Sequence, residues 1–189
     1  MKQELNENVL SEQSIYTKET LDKLKILESC INETIRGVLN IAATRQATVD
    51  TTVECSDKTQ IGVRKGDMVL YPAFLKHLNP KLFGPEPYAY KYDRFVKKPD
   101  QPKAPSVMLF GCGVHMCPGR YLAVNEIKIL VALIVQHMDI EFINMTEQDK
   151  HDYRKRLPYD YSKLISSGGP QHGYEHKFDI KYSYKNIFI

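Results

Sequence analysis

Between Pro80 and Pro105 the chain is crowded with prolines and aromatic residues, among them Pro85, Pro87, Tyr88, Tyr90, Tyr92 and Phe95. Neither a helix nor a central strand can run through such a segment, because proline removes a backbone donor and fixes φ. An irregular but packed meander is expected, and a loop of that length usually serves a function. Regular structure must therefore lie on either side. Upstream, from Leu21, the apolar positions Leu24, Leu27, Ile31, Ile35 and Leu39 recur at three- and four-residue steps, which predicts an amphipathic helix with one buried face. Thr44 to Val49 is a candidate strand, and Gln60 to Val63 and Met68 to Tyr71 flank Arg64-Lys65-Gly66-Asp67 like the arms of a hairpin. Downstream, a glycine-rich loop at 110–119 opens a second helix from Pro118 to about His137. Alternation from Lys177 to Tyr182 predicts a half-buried strand near the C-terminus. Residues 1–17 are polar and read as a frayed helix end followed by a loop. The fold class is mainly α with minor β.

Composition narrows the function classes. At 189 residues and 42% hydrophobic, the chain can build one domain with a core. With 26 basic against 23 acidic residues, the net +3 is too mild to announce a nucleic-acid partner. Arg154-Lys155-Arg156 is a local basic cluster, but Asp149, Asp152 and Asp160 are interspersed nearby, so it reads as a solvated loop. Cys30, Cys55, Cys112 and Cys117 have no framework spacing, which argues for a reducing compartment. The N-terminal stretch lacks the apolar core of a signal peptide. The longest apolar run of the chain, Ile129 to Val135, is far short of the ~20 residues a spanning helix needs. The chain as given is expected to be soluble or at most peripheral, with no anchor or signal.

The segment richest in chemistry is Phe110-Gly111-Cys112-Gly113-Val114-His115-Met116-Cys117-Pro118-Gly119-Arg120. Cys117 stands at the entrance of a helix, with Pro118 suited to the first helical position, where a missing N–H costs nothing. The free N–H groups of a helix start favour an anion there, hence a thiolate. Gly111, Gly113 and Gly119 remove side chains where the backbone turns tightly or approaches a flat ligand. A thiolate so presented is a nucleophile or a metal ligand. Zinc held by Cys112, His115 and Cys117 is a competing reading, weakened because no second ligand pair lies at suitable spacing. An inert cysteine at a helix start is the bland one.

This loop resembles that of the cytochrome P450 family, F-x-x-G-x-x-x-C-x-G, met by Phe110, Gly113, Cys117 and Gly119, with Pro118, Arg120 and Ala123 in further agreement. The resemblance implies the C-terminal part of the cytochrome P450 fold, a haem b cofactor, and Cys117 as axial ligand of the iron. Such a thiolate pushes electron density onto the metal and favours O–O cleavage. It further implies that Phe110 packs beside thiolate and haem and that His115 holds a propionate. Glu33-Thr34-Ile35-Arg36 supplies the family's E-x-x-R pair, and Arg94, within Lys91-Tyr92-Asp93-Arg94-Phe95, the third member of a buried cluster that locks helix to meander. These three are expected to be structural. Arg45 would be the second propionate partner, suited by its bidentate fork. No catalytic residue beyond the haem ligand is expected.

Within the family, Val63-Arg64-Lys65-Gly66-Asp67, His77-Leu78-Asn79-Pro80, Tyr92-Asp93-Arg94-Phe95 and Gly168-Gly169-Pro170-Gln171 are similar to the group of sterol 7α-hydroxylases, oxysterol hydroxylases and prostacyclin synthase. That implies an apolar, sterol-like or lipid substrate, with the apolar stretch Val38 to Ala43 near the pocket. Family members run two to three times this length, so the chain is expected to hold the haem's proximal half, without the acid–threonine pair of the long central helix, and to be inactive alone. A reductase of the NADPH–cytochrome P450 type is the expected redox partner. The endoplasmic reticulum membrane is the expected site of the full-length parent. The alternative is a truncated, non-catalytic haem-binding or interaction fragment.

Overall fold

The computed structural model describes residues 2–8, 16–38, 42–97, 106–148, 159–160, 171–172 and 179–185. Leu39, the basic cluster at 154–156, Gly168 to Pro170, and Lys177 and Phe178 lie outside the described residues, as do 39–41 of the apolar stretch. Among the described residues, no helix is long and apolar enough to cross a membrane.

Helices at the two ends of the described core build it. Helix α1 (Lys2–Asn8) buries Leu5 completely, so residues 2–8 of the polar N-terminal stretch are docked. After α2 (Lys18–Leu21), capped by Thr17, a tight turn interrupts the helix expected from Leu21 onward, and α3 runs from Lys25 to Val38. The break has a cause. The Leu21 carbonyl accepts from the Leu24 N–H at 3.2 Å and from the Lys128 ammonium at 3.0 Å, instead of continuing an α-helical ladder. The N–H groups of Ile26 and Leu27, freed at the start of α3, donate to the two carboxylate oxygens of Glu4 at 2.7 and 3.0 Å. A helix start welcomes such an anion.

Helix α3 buries two faces. Leu27, Ile31 and Ile35 pack with Leu5, Leu21, Leu24 and Ala132 in one apolar cluster. Ser29, Glu33 and Arg36, also buried, face the opposite task of gripping the meander.

The strands pair in an order that the local sequence did not suggest. Strand β1 (Ala42–Gln46) is antiparallel to β4 (Met68–Pro72), and β2 (Thr51–Glu54) to β3 (Gln60–Val63). The expected hairpin between 60–63 and 68–71 therefore does not form. Its turn residues are used otherwise: the Gly66 N–H donates to the Ala47 carbonyl at 2.8 Å and the Ala47 N–H to the Asp67 carbonyl at 2.9 Å. These bonds extend the β1–β4 ladder, so the four-residue turn joins two different sheets. Helices α4 (Ala73–His77) and α5 (Pro80–Phe83) follow, the latter capped by the Asn79 side chain on the Lys81 N–H.

Helix α6 spans Arg120–His137, starting two residues after the position expected for Pro118 and ending where expected. It passes directly into β5 (Met138–Ile143), which pairs with β8 (Asp179–Tyr184); the short β6 (Tyr159–Asp160) and β7 (Gln171–His172) pair with each other. The C-terminal strand is exposed along its whole length rather than half-buried, because β5 beside it is exposed as well and nothing described covers either face.

Candidate functional site

The site is assembled from α3 outward. Glu33 and Arg36 sit one turn apart, both fully buried, with Arg36 Nε and Nη2 donating to the two Glu33 carboxylate oxygens at 2.8 and 2.9 Å. From the meander, Arg94 Nε donates to the same oxygens at 3.0 and 2.9 Å, and the Lys91 N–H adds a bond of 3.0 Å. Burial pushes the Glu33 carboxyl up, but the hydrogen bonds from Arg36 and Arg94 outweigh it and hold the pKa below the ordinary value. Donors left over on the two guanidinium groups reach backbone carbonyls: Arg36 Nη1 those of His77 and Pro87, both at 2.8 Å, and Arg94 Nη2 that of Ala89 at 2.8 Å. Phe83 lies beneath both, 5.1 and 5.6 Å from the guanidinium carbons. The Phe95 N–H donates to Ser29 Oγ at 2.9 Å. The three residues singled out in the sequence thus meet in one buried cluster that fastens the meander to α3.

One residue of this region was not anticipated as a participant. His77 is fully buried, its carbonyl held by Arg36 and its ring Nε2 accepting the Met108 N–H at 3.0 Å. A lone histidine in Leu75-Lys76-His77-Leu78 carries no local signal of that role.

Two residues beyond Met108 the cysteine loop begins. The Cys117 N–H donates to the Phe110 carbonyl at 2.9 Å and closes the loop at its mouth. Inside it, Gly111 (φ +80°) and Gly113 (φ +63°) take left-handed backbone conformations that L side chains resist, and a 3₁₀ turn covers Gly113–His115. Gly119 differs: its φ of −78° suits any residue, and an added Cβ would stand 3.8 Å from the Cys117 sulfur, an ordinary contact. A tight turn therefore does not explain it. Pro118 and Gly119 form a turn before α6 rather than its first helical positions. The Cys117 carbonyl accepts from the Arg120 N–H at 3.4 Å and from Arg120 Nη1 at 3.0 Å.

Cys117, Cys112 and His115 are exposed, Phe110 is half-buried, and Val114 at the loop's tip is 96% exposed. Arg45 is exposed on β1, opposite Val69, with Nη1 turned to the Thr44 carbonyl at 2.6 Å. Among the described residues no three His, Cys, Asp or Glu side chains gather in a way that could hold a metal ion. Cys112, His115 and Cys117 are thus not gathered into a three-ligand set. A soft thiol donor presented singly suits a metal that brings most of its own ligands, as haem iron does. The residues present fit that group.

Fold and loop together present one cysteine sulfur, that of Cys117, on a loop closed at its mouth. Residues 1–161 match the family model Cytochrome P450. The chain belongs to the cytochrome P450 family, whose cofactor is haem iron. Its sequence is 34% identical to Cytochrome P450 7B1 of Mus musculus over 160 residues, covering 79% of this chain and 29% of that protein. Over 137 residues it is 35% identical to the 7-alpha-hydroxycholest-4-en-3-one 12-alpha-hydroxylase of Oryctolagus cuniculus, covering 66% of this chain and 27% of the relative. Within the family, its relatives lie in the sterol hydroxylase group. The chain spans under a third of the length of these two relatives. Among solved structures, the retinoic acid bound cyanobacterial CYP120A1 shares the fold with a TM-score of 0.67 at 22% identity, over 97% of this chain and 38% of that one.

Proposed function

We propose that residues 1–189 form the proximal, haem-binding part of a haem-thiolate monooxygenase that inserts one oxygen atom into a C–H bond of a sterol-like or other lipid substrate. The observation that carries this reading is the closed loop from Phe110 to Cys117, with its left-handed glycines and its exposed sulfur. Bound haem supplies oxygen activation at an iron whose electronics the thiolate tunes. The rest falls to the chain itself. Cys117 would be the ligand of the iron, and Phe110, half-buried and bonded through its carbonyl to the Cys117 N–H, would pack beside the haem. Gly111 and Gly113 set the loop's course, and Gly119 leaves room beside the sulfur. His115 and Arg45, both exposed, would receive the two propionates. The Glu33–Arg36–Arg94 cluster holds the meander to α3. The similarity to the 7-alpha-hydroxycholest-4-en-3-one 12-alpha-hydroxylase supports the substrate class. A reductase of the NADPH–cytochrome P450 type is the redox partner in this reading, and the endoplasmic reticulum membrane the place of the whole protein.

The test is spectroscopic. Haem-loaded protein, reduced and exposed to carbon monoxide, is expected to show the red-shifted Soret band of a thiolate ligand, and Cys117→Ala to abolish it. A mutant spectrum identical to the parent would remove Cys117 as the ligand.

A further inference from the structure

His77 is the most deeply buried titratable group that the reading above leaves without a task. It stands at the end of α4, between the charged cluster and the segment that leads into the cysteine loop. Its carbonyl is bound by Arg36 Nη1 at 2.8 Å, and its ring Nε2 accepts the Met108 N–H at 3.0 Å. Met108 precedes Phe110 by two residues, and the Phe110 carbonyl in turn fixes the Cys117 N–H at 2.9 Å. One side chain and its own backbone thus join α3 to the loop through three hydrogen bonds in series.

We infer that His77 is a positioning residue for the haem-thiolate site: its neutral imidazole anchors Met108, and thereby the Phe110 end of the cysteine loop, to the Glu33–Arg36–Arg94 cluster.

The geometry asks for an acceptor. Only a ring with a bare Nε2 can take the Met108 N–H, which puts the ring's proton on Nδ1. That Nδ1 is buried and has no partner among the described residues, so the site keeps an unpaired donor in order to present the acceptor. The surroundings hold the ring neutral: burial first, then the positive charges of Arg36 and Lys76, keep its pKa down at about 4. Glu33, the nearest carboxylate of the cluster, is already engaged by Arg36 and Arg94 and offers the ring no counter-charge. A protonated ring would lose its acceptor and face Arg36 with like charge.

This inference rests on the haem-thiolate reading for its consequence, but its first link is testable without it. In the full-length, haem-loaded protein, His77→Gln keeps an acceptor at the reach of Nε2, while His77→Leu keeps bulk and removes it. Hydrogen exchange at the Met108 amide should quicken at least tenfold in His77→Leu and stay near the parent's rate in His77→Gln. The reduced carbon monoxide complex should lose part of its thiolate-type band in the Leu variant only. Failure of the Leu variant to fold, with the Gln variant intact in both readouts, would support the same conclusion. Equal damage in both variants, or parent-like exchange and spectra in His77→Leu, would overturn it, since the acceptor would then not matter. If the parent itself lacks the thiolate band, the haem reading fails, and Met108 exchange still decides the link to His77.

Discussion

A carboxylate taken out of water between two guanidinium groups is stable only as long as all three remain. Glu33 receives five hydrogen bonds in the structure, four from Arg36 and Arg94 and one from the Lys91 N–H. Glu33→Gln keeps the shape and removes the charge, leaving two buried cations without a counter-ion. The expected loss is about 3–5 kcal/mol of unfolding free energy, read from urea midpoints. Acid reaches the same region in two stages. His77 has a folded pKa near 4 against an ordinary 6.5, so its contribution is complete above 6.5 and is lost as the pH falls through 4; the total is on the order of 3 kcal/mol. Glu33, also depressed in the folded state, contributes above the ordinary carboxylate value of 4.5 and loses that contribution at still lower pH. Stability measured against pH should therefore decline first between 6.5 and 4 and again below 4.5, and Glu33→Gln should flatten only the second stage. This cluster was legible through the family resemblance, which implied a buried pair and Arg94 as its third member; an i, i+3 acid–base pair alone is more often a surface pair. His77 was not legible. Both of its partners, Arg36 and Met108, lie 41 and 31 residues away, and nothing beside it in the chain says that it is buried. Lys128 was hidden in the same way: it is inside an apolar helix, yet its ammonium is satisfied by the Leu21 carbonyl at 3.0 Å and by Glu28 at 2.8 Å.

Elements were legible where their signal is periodic and illegible where it is relational. The heptad-like spacing of α3 and the apolar run of α6 located both helices, whereas the interruption at 22–24 depends on a lysine more than a hundred residues away. Strand pairing failed for a related reason. Arg64-Lys65-Gly66-Asp67 has good turn chemistry, with Gly66 at φ +93°, but a turn does not say which strands it joins. The choice was made by Ala47, which takes the Gly66 N–H. The docking of α1 belongs to this scale too. Glu4 bonds the first free amides of α3, Ile26 and Leu27, like a cap supplied from another helix. Glu4→Ala should lower stability by about 1–2 kcal/mol and speed hydrogen exchange at those two amides, leaving the far end of α3 unaffected.

At the scale of the whole molecule, the described residues expose many large apolar side chains. Leu122, Leu130 and Leu133 on α6 are 64%, 58% and 38% exposed, and Ile140, Phe142, Ile180 and Tyr182 line an uncovered two-stranded ribbon. Contiguous patches of this kind mark interfaces or promote association. Residues 1–189 prepared alone are expected to bind a hydrophobic dye strongly, to self-associate in sedimentation, and to oxidise no sterol when supplied with haem and reductase. A monodisperse, dye-silent preparation, or turnover of substrate, would contradict this expectation. The core that does form is drawn from distant parts of the chain, with Leu5 and Ala132 in one cluster, and such closure was visible in the sequence only as separate apolar faces.

The two small sheets have a last consequence. The chain leaves the β1–β4 ladder at Ala47 and returns to it at Gly66 and Asp67, where the departing and returning strands are bonded to each other at 2.8 and 2.9 Å. Everything between is a side branch, rooted at one point and otherwise exposed along β2 and most of β3. Its ends are already closed, so its length carries little entropic penalty for the rest of the fold. The tip at Asp57 and Lys58 is thus a natural grafting point, where an epitope or a reporter peptide can be carried on the protein while the ladder beneath stays zipped.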